Sequence, residues 1–176
     1  DSQRIDVGRV NDRFFINVAS GGFGAEITAT TPQQLKRAIG GGAYALMGLV
    51  KATQLSPYQV QLQVPGEPAI EGKMLFMAVG NNRFAGGGFE VAGHSSMQDG
   101  LLDLAAILQG DGLELGKLKA EMDDPMNPGN RNVYYRQLKQ FTLSSAEKLH
   151  CNLDGEPYLK RKLRFSTLPG FLKVVF

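Results

Sequence analysis

Two short acidic turns carry the carboxylates best suited to chemistry. The first is CNLDGEPYL, residues 151–159, in which Asp154 and Glu156 stand on either side of a glycine. The Asp-Gly pair favours a hairpin turn, and Pro157 suits a strand end. A hairpin does not require Glu156, however, and a second carboxylate so close can raise the pKa of its neighbour and prepare a general base. The residues alone favour the turn and leave catalysis open.

The second acidic turn is MQDGLLDL, residues 97–104. Its Asp99-Gly100 pair again favours a turn that enters a strand. One carboxylate beside exposed turn carbonyls could also bind Mg²⁺, because this ion keeps several waters and needs few protein oxygens. The hairpin is the favoured interpretation, and the metal site is the alternative.

Amides, a cation and glycines follow a buried strand in GNNRFAGGGFEVA, residues 80–92. Asn81, Asn82 and Arg83 come directly after the strand, and residues 86–88 are all glycine. Such a strand end suits the binding of a polar or phosphorylated group. A wide hairpin loop whose asparagines satisfy their own backbone explains the same residues equally well.

Few residues are available for nucleophilic catalysis or for a zinc site. His94 and His150 are the only histidines, and no serine lies in a nucleophile-elbow sequence, which argues against a Ser-His-Asp hydrolase. The single cysteine, Cys151, excludes an internal disulfide and a cysteine-based zinc cluster. This composition favours a reducing, cytosolic compartment.

The chain has the size and composition of one folded domain. Its 176 residues are 43% apolar, enough for a sizeable core, and no apolar run is long enough for a spanning helix. A formal charge of +2 is too weak to indicate nucleic-acid binding. A basic run, Lys160, Arg161, Lys162 and Arg164, is better explained by a solvated strand face than by contact with an anionic membrane surface.

Short strands outnumber helices in the sequence pattern. Helices are predicted over residues 33–39, 43–55 and 112–122, the last with Asp111 as its cap. Most strands are joined by turns, so the pattern predicts antiparallel β layers with a helical insertion, an α+β class. The predicted strands are RFFINVAS, VQLQV, KMLFMAVGN, LLDLAAIL, QFTLSS, LHCNL, LKRKLRFST and LKVVF.

Five motifs in one order resemble a known domain. They are FINVASGGFGAEI, TPQQLKRAIGG, GNNRFAGGG, DGLLDL and NLDGEP. Together they closely resemble the C-terminal domain of bacterial diacylglycerol-kinase-like lipid kinases of the YegS type, over nearly the whole chain. The resemblance implies an antiparallel β-sandwich spanning residues 1–176, the C-terminal domain of the NAD kinase and diacylglycerol kinase-like fold.

The resemblance also implies roles for the two acidic turns. Glu156 would be the base that takes the proton from a lipid hydroxyl, and Asp154 would orient it or help to organise the metal. A structural Mg²⁺, with Ca²⁺ as the alternative, would be held by Asp99, the carbonyl of Leu101 and the backbone of Ser96. Phosphoryl transfer relies on positioning and charge neutralisation, which agrees with these roles.

The same resemblance implies a partner domain and a membrane setting. ATP would be held mainly by a G-G-D-G-T motif of an N-terminal domain, and that motif is not among these residues, so we expect the chain alone to be inactive. The cleft between the two domains would be lined by Asn81, Gly86, Gly87 and Gly88. The full protein would work in the cytoplasm at the inner membrane surface, on diacylglycerol or phosphatidylglycerol. The alternative is a non-catalytic lipid- or partner-binding module, and a homodimer stays open.

Overall fold

The computed structural model describes residues 1–22, 57–85, 89–90, 94–109 and 114–175. They form a mainly β architecture with one short helix. The strands are β1 Ser2–Val10, β2 Arg13–Phe15, β3 Val18–Gly22, β4 Tyr58–Gln63, β5 Ile70–Gly80, β6 Phe84–Ala85, β7 Phe89–Glu90, β8 Leu102–Leu108, β9 Val133–Leu138, β10 Gln140–Leu153 and β11 Glu156–Val175, and the helix is α1, Leu115–Asp123.

Antiparallel pairing joins nine strands into one sheet of order β2-β1-β11-β10-β3-β5-β8-β9, with β4 between β10 and β5. The sheet folds over on itself, because β10 pairs with β4 through its first half and with β3 through its second half. A single core cluster contains Phe15 and Phe165 from one end of the sheet and Met77 and Leu104 from the other. The predicted β-sandwich is confirmed.

The first and last strands in the sequence, β1 and β11, pair with each other. Their register places Ser2 opposite Val175 and Arg9 opposite Ser166, with an irregularity between Ile5 and Val7. The hairpin of β6 and β7 stands apart from this sheet and pairs only within itself among the described residues.

Helix α1 covers the outer face of the β5 and β8 region. Its Leu118 is only 2% exposed and packs with Leu75, Ile107 and Val133 in a second apolar cluster. Because β5 is covered on both faces, the segment KMLFMAVGN needs almost no polar alternation. This explains the nearly continuous apolar sequence of residues 73–81.

The start of this helix differs from the prediction. The helix begins at Leu115, with Glu114 in the N-cap position and without a side-chain capping hydrogen bond, instead of directly after Asp111. Contact of Leu118 with the sheet, and not a capping side chain, positions the helix. Asp111 itself lies outside the described residues.

Strand boundaries also differ from the sequence pattern. RFFINVAS is divided into β2 and β3, whereas QFTLSS and LHCNL belong to one strand, β10, with an irregularity between Ser144 and Leu149. The last two predicted strands likewise continue into each other as β11, and no strand was predicted for β1 or β9.

Several predicted features lie outside the described residues. These are the two helices predicted over residues 33–39 and 43–55, the end of the motif FINVASGGFGAEI, and Gly86, Gly87 and Gly88. Within the described part of the chain, no helix is long and apolar enough to cross a membrane.

Candidate active site

The turn between β10 and β11 holds the first pair of carboxylates. Leu153 pairs with Glu156 across a two-residue loop, in which Asp154 has φ of 48° and Gly155 has φ of 107°. Positive φ at both central residues is what a type I′ hairpin requires. The Gly155 N–H also donates to Asn152 Oδ1 at 2.7 Å. The hairpin interpretation of the sequence is therefore correct.

The Asp154 carboxylate is hydrogen-bonded to backbone N–H groups. It accepts hydrogen bonds from the N–H groups of Ile16 at 2.5 Å, Asn17 at 3.0 Å and Val18 at 2.9 Å. The Asp154 N–H in turn donates to the Val18 carbonyl at 3.1 Å. These contacts divide RFFINVAS into two strands, because the amides of residues 16–18 turn toward Asp154. Asp154 is thus a structural anchor that fixes the turn against the β2–β3 loop.

Glu156, by contrast, is exposed and begins β11. Its carboxylate has no hydrogen-bond or ion-pair partner among the residues that the structure describes. A carboxylate on a fixed turn that no protein group already uses can accept a proton from a bound hydroxyl group. Of the two acidic residues in this turn, Glu156 is the one available for chemistry.

The second acidic turn is anchored by a residue from β1. Asp6 is 3% exposed, and its carboxylate accepts from the Gly100 N–H and from the Gly170 N–H, both at 2.7 Å. Gly100 has φ of 71°, a conformation that favours glycine. Among the described residues, Asp99 Oδ1 accepts a single hydrogen bond, from the Leu101 N–H at 2.9 Å. Asp6 therefore fixes the turn, and the second oxygen of Asp99 has no hydrogen-bond partner in the part of the chain that the structure describes.

The electrostatics around Asp99 suit a cation. Burial raises the pKa of Asp99 above its usual value, and the negative charges of Asp103 and Asp6 raise it further, against the lowering effect of the Leu101 N–H. A divalent ion would offset this excess of negative charge. Asp99 and the backbone carbonyls of Ser96 and Leu101 would offer only oxygen atoms, the donor type that Mg²⁺ prefers. In the described ranges, no three His, Cys, Asp or Glu side chains are grouped to hold a metal.

Asn81 links the two turns from inside the protein. Its side-chain Nδ2 donates to the carbonyls of Asp6 at 2.9 Å and Ile16 at 2.8 Å. Asp6 holds Gly100, and Ile16 holds Asp154, so a continuous hydrogen-bond path connects both turns. Asn81 is fully buried, which differs from the predicted cleft-lining position. Its amide group is needed between two backbone carbonyls, so its role here is to position both turns.

Arg83 reaches the surface next to this network. Asn82 Nδ2 donates to Asn17 Oδ1 at 3.2 Å, and Asn82 Oδ1 accepts from the Arg83 N–H at 2.7 Å. Asn17 is itself bound to Asp154. Arg83 is exposed, and its guanidinium has no partner in the part of the chain that the structure describes. Both asparagines hydrogen-bond to backbone groups, and Asn82 fixes the backbone N–H of Arg83.

A family model described as the YegS C-terminal NAD kinase beta sandwich-like domain matches residues 17–176. The chain belongs to this family. The resemblance inferred from the five motifs is confirmed.

Relatives of this YegS-type domain carry the name "Probable lipid kinase YegS-like". The protein from Chromohalobacter salexigens is 42% identical over 172 residues, covering 97% of the chain and 54% of the relative. The protein from Shewanella frigidimarina is 37% identical over 175 residues, covering 99% of the chain and 56% of the relative. The YegS-type domain therefore spans about half the length of these relatives.

A solved structure supports the fold of the YegS-type domain. A candidate diacylglycerol kinase from Bacillus anthracis str. Sterne matches with a TM-score of 0.75 and 18% identity, covering 100% of the chain and 58% of that protein. At this identity the likeness concerns the fold. The mainly β sandwich is shared by both.

Sequence interpretation missed Asp6 and Asn17 in the YegS-type domain. Asp6 lies within RIDVGRV, where a carboxylate interrupts β-branched residues, and such an interruption could have marked it as a buried anchor. Asn17 offers no comparable pattern, because its contacts with Asp154 and Asn82 join segments far apart in sequence. The network brings Asp154, Asn81 and the Asp99 turn to one end of the sandwich.

Proposed function

We propose that this domain supplies the catalytic carboxylate of an ATP- and Mg²⁺-dependent lipid kinase. The observation that carries the proposal is Glu156, exposed and without a partner among the described residues, on a turn held by the Asp154 contacts to residues 16–18. The family membership and the names of the relatives support a lipid kinase. The acceptor would be a lipid hydroxyl of the diacylglycerol or phosphatidylglycerol class.

In the proposed reaction, the lipid hydroxyl oxygen attacks the γ-phosphorus of ATP. A bond forms between that oxygen and phosphorus, the bond from phosphorus to the bridging oxygen of ADP breaks, and the hydroxyl proton passes to Glu156. Asp154 does not touch the reacting atoms and acts by positioning Glu156. Because the transition state carries little covalent chemistry for the protein, correct placement of this carboxylate is its main contribution.

The Asp99 turn would hold the metal in this proposal. Asp99, with the backbone of Ser96 and Leu101, would supply the oxygen donors. Burial raises the pKa of Asp99, and the charges of Asp103 and Asp6 raise it further, so a bound cation would stabilise its ionised carboxylate. Bound Mg²⁺ would supply positive charge and stiffen this end of the sandwich. Through Asp6 and Asn81, the stiffening would extend to the Glu156 turn.

The remaining parts of the site would come from elsewhere. An N-terminal domain would bind ATP, and Gly86, Gly87 and Gly88 would let the nucleotide or the lipid head group approach the backbone. Arg83 would face a phosphate, since it is an exposed cation without a described partner. The protein would act on the cytoplasmic side of the inner membrane.

The proposal is tested with the full-length protein and ATP labelled in its γ-phosphate. The protein is mixed with vesicles that contain diacylglycerol or phosphatidylglycerol, with Mg²⁺ or with a chelator, and labelled lipid is measured. We expect labelled lipid only with Mg²⁺, and none from residues 1–176 alone. A folded full-length protein that binds the vesicles yet labels neither lipid would contradict the kinase and favour the non-catalytic module.

A further inference from the structure

Two aromatic rings form an exposed pair on the outer face of the β1, β2 and β11 layer. Phe14 is 54% exposed and Phe171 is 62% exposed. Their rings stack with centroids 6.3 Å apart and an interplanar angle of 11°. Apolar surface that stays this exposed after two rings have already paired is a mark of a binding surface.

The strand register shows which residues share this face. Phe14 lies opposite Arg9 in β1, and Arg9 lies opposite Ser166 in β11. Phe165, next in sequence to Ser166, is 2% exposed in the core. Because side chains alternate along a strand, Ser166 and Arg164 point away from the core. Phe14, Arg9 and Arg164 are therefore on one outer face.

The same face continues past Phe171. Lys173 lies two residues further along β11, on the same side as Phe171, and it is paired directly with Arg4 of β1. Lys162 precedes Arg164 by two residues at the other end of the face. We call this surface the aromatic-basic face. It is formed by Arg4, Arg9, Phe14, Lys162, Arg164, Phe171 and Lys173.

The positive charge of the aromatic-basic face is not neutralised by its strand neighbours. On the β10 side, Arg164 faces Thr142 and Lys162 faces Ser144, both uncharged. None of the five basic residues forms an ion pair with a residue that the structure describes. Cores of protein interfaces are depleted in charged residues as a class, whereas anionic lipid surfaces attract clusters of lysine and arginine. The charge therefore favours a lipid surface over a protein partner.

We propose that the aromatic-basic face docks on an anionic lipid bilayer, with Phe14 and Phe171 in the headgroup region and the basic side chains on lipid phosphates. Aromatic side chains favour this interfacial region, and each nearby cation adds to the attraction. Ile16 is 40% exposed and follows Phe14 by two residues, and its N–H binds Asp154. The docked face is thus continuous with the loop that holds the Glu156 turn. The identification of lipid as the partner rests on the proposed function.

The test measures co-sedimentation of the full-length protein with vesicles, without ATP. One set is phosphatidylcholine alone, and the other is equal parts of phosphatidylcholine and phosphatidylglycerol. The aromatic variant is Phe14→Ser with Phe171→Ser, and the charge variant is Arg9→Gln with Arg164→Gln. We expect each pair to weaken binding to the anionic vesicles by about tenfold or more. Only the charge variant should lose most of its dependence on salt.

Matched controls come from other surfaces of the same domain. Ile70→Ser removes a side chain that is 41% exposed in β5, and Lys117→Gln with Lys119→Gln removes two exposed cations of α1. We expect both controls to bind as the parent does. Equal losses in controls and face variants, or no loss in either face variant, would overturn the proposal.

Two further measurements distinguish a lipid from another occupant of the face, and a failure of the docking proposal from a failure of the kinase proposal. If the face is covered by another part of the protein or by a second copy, the aromatic variant will lower the melting temperature or change the oligomer mass while vesicle binding stays unchanged, and the proposal fails. Lipid in detergent micelles serves as a second substrate. If the protein phosphorylates lipid in micelles but the face variants bind vesicles as the parent does, only the docking proposal is refuted. If the face variants lose vesicle binding but the parent phosphorylates no lipid, only the kinase proposal is refuted.

Discussion

The two acidic turns share an Asp-Gly pair but are held in opposite ways. At Asp154 the aspartate itself accepts three backbone amides, and the neighbouring Glu156 is left without a described partner. At Asp99 the turn is anchored by Asp6 of β1, and the Asp99 carboxylate accepts one backbone N–H among the described residues. A carboxylate in such a turn can therefore bind a ligand only when another residue makes the hydrogen bonds that hold the turn.

The largest expected effect separates the two acidic residues of the first turn. Glu156→Gln should lower lipid phosphorylation by about a hundredfold to ten-thousandfold, because the amide cannot accept the hydroxyl proton. The free energy of unfolding should change by less than about 0.5 kcal/mol, since the side chain is exposed. Phosphorylation and urea denaturation are measured together. Glu147→Gln, an exposed position in β10, is the control, and undiminished turnover in Glu156→Gln would remove its role as base.

Replacing the link between the turns should affect both at once. Asn81→Ala leaves the buried carbonyls of Asp6 and Ile16 without their donor, which should cost about 3 kcal/mol of folding free energy. Both Mg²⁺ affinity and lipid phosphorylation should fall. Asn82→Ala removes a more exposed amide contact and should have a smaller effect in the same urea titration. If Asn81→Ala changes only one of the two turns, the link is not what holds them together.

A milder change tests the anchor of the first turn. Asparagine tolerates the positive φ of 48° at residue 154, so Asp154→Asn keeps the turn conformation while weakening the contacts to three amides. We expect a loss of about 2 kcal/mol in stability and a parallel decrease in turnover, with the substrate affinity less affected. A turnover unchanged in a destabilised protein would show that Glu156 does not depend on this anchor.

The smallest expected effect is at the second turn. Asp99→Asn retains an oxygen that can accept from the Leu101 N–H, so the fold should be unchanged. Loss of the charge should weaken Mg²⁺ binding by roughly tenfold, about 1.4 kcal/mol. Calorimetric titration with Mg²⁺ measures this change. The matched variant Asp154→Asn should leave Mg²⁺ affinity closer to that of the parent, and equal losses in both would mean that the turns are not functionally distinct.

Local sequence predicted the elements better than it predicted their contacts. The turns and the mainly β class followed from Asp-Gly pairs and strand patterns, because these effects are local. The division of RFFINVAS could not be foreseen, since the amides of residues 16–18 are taken up by Asp154, more than a hundred positions away. The same holds for α1, which packs on the sheet through Leu118, far from its contacts in sequence.

Contacts between distant segments also limited what the sequence could predict about the candidate site. The family resemblance assigned Glu156 and Asp99, and these assignments remain proposals that the geometry supports. It placed Asn81 at a cleft, whereas the structure buries its amide between Asp6 and Ile16. Burial of a single polar side chain depends on three segments meeting, which no window of the sequence contains.

The pairing of Ser2 with Val175 has an architectural consequence. Because the first and last strands lie side by side, the polypeptide enters and leaves the sandwich at the same corner. A domain with adjacent ends can be inserted into a loop of another domain, or circularly permuted, without disturbing its own sheet. The arrangement of β1 and β11 is therefore compatible with insertion of this sandwich into a loop of another protein while its hydrogen-bonded turns are retained.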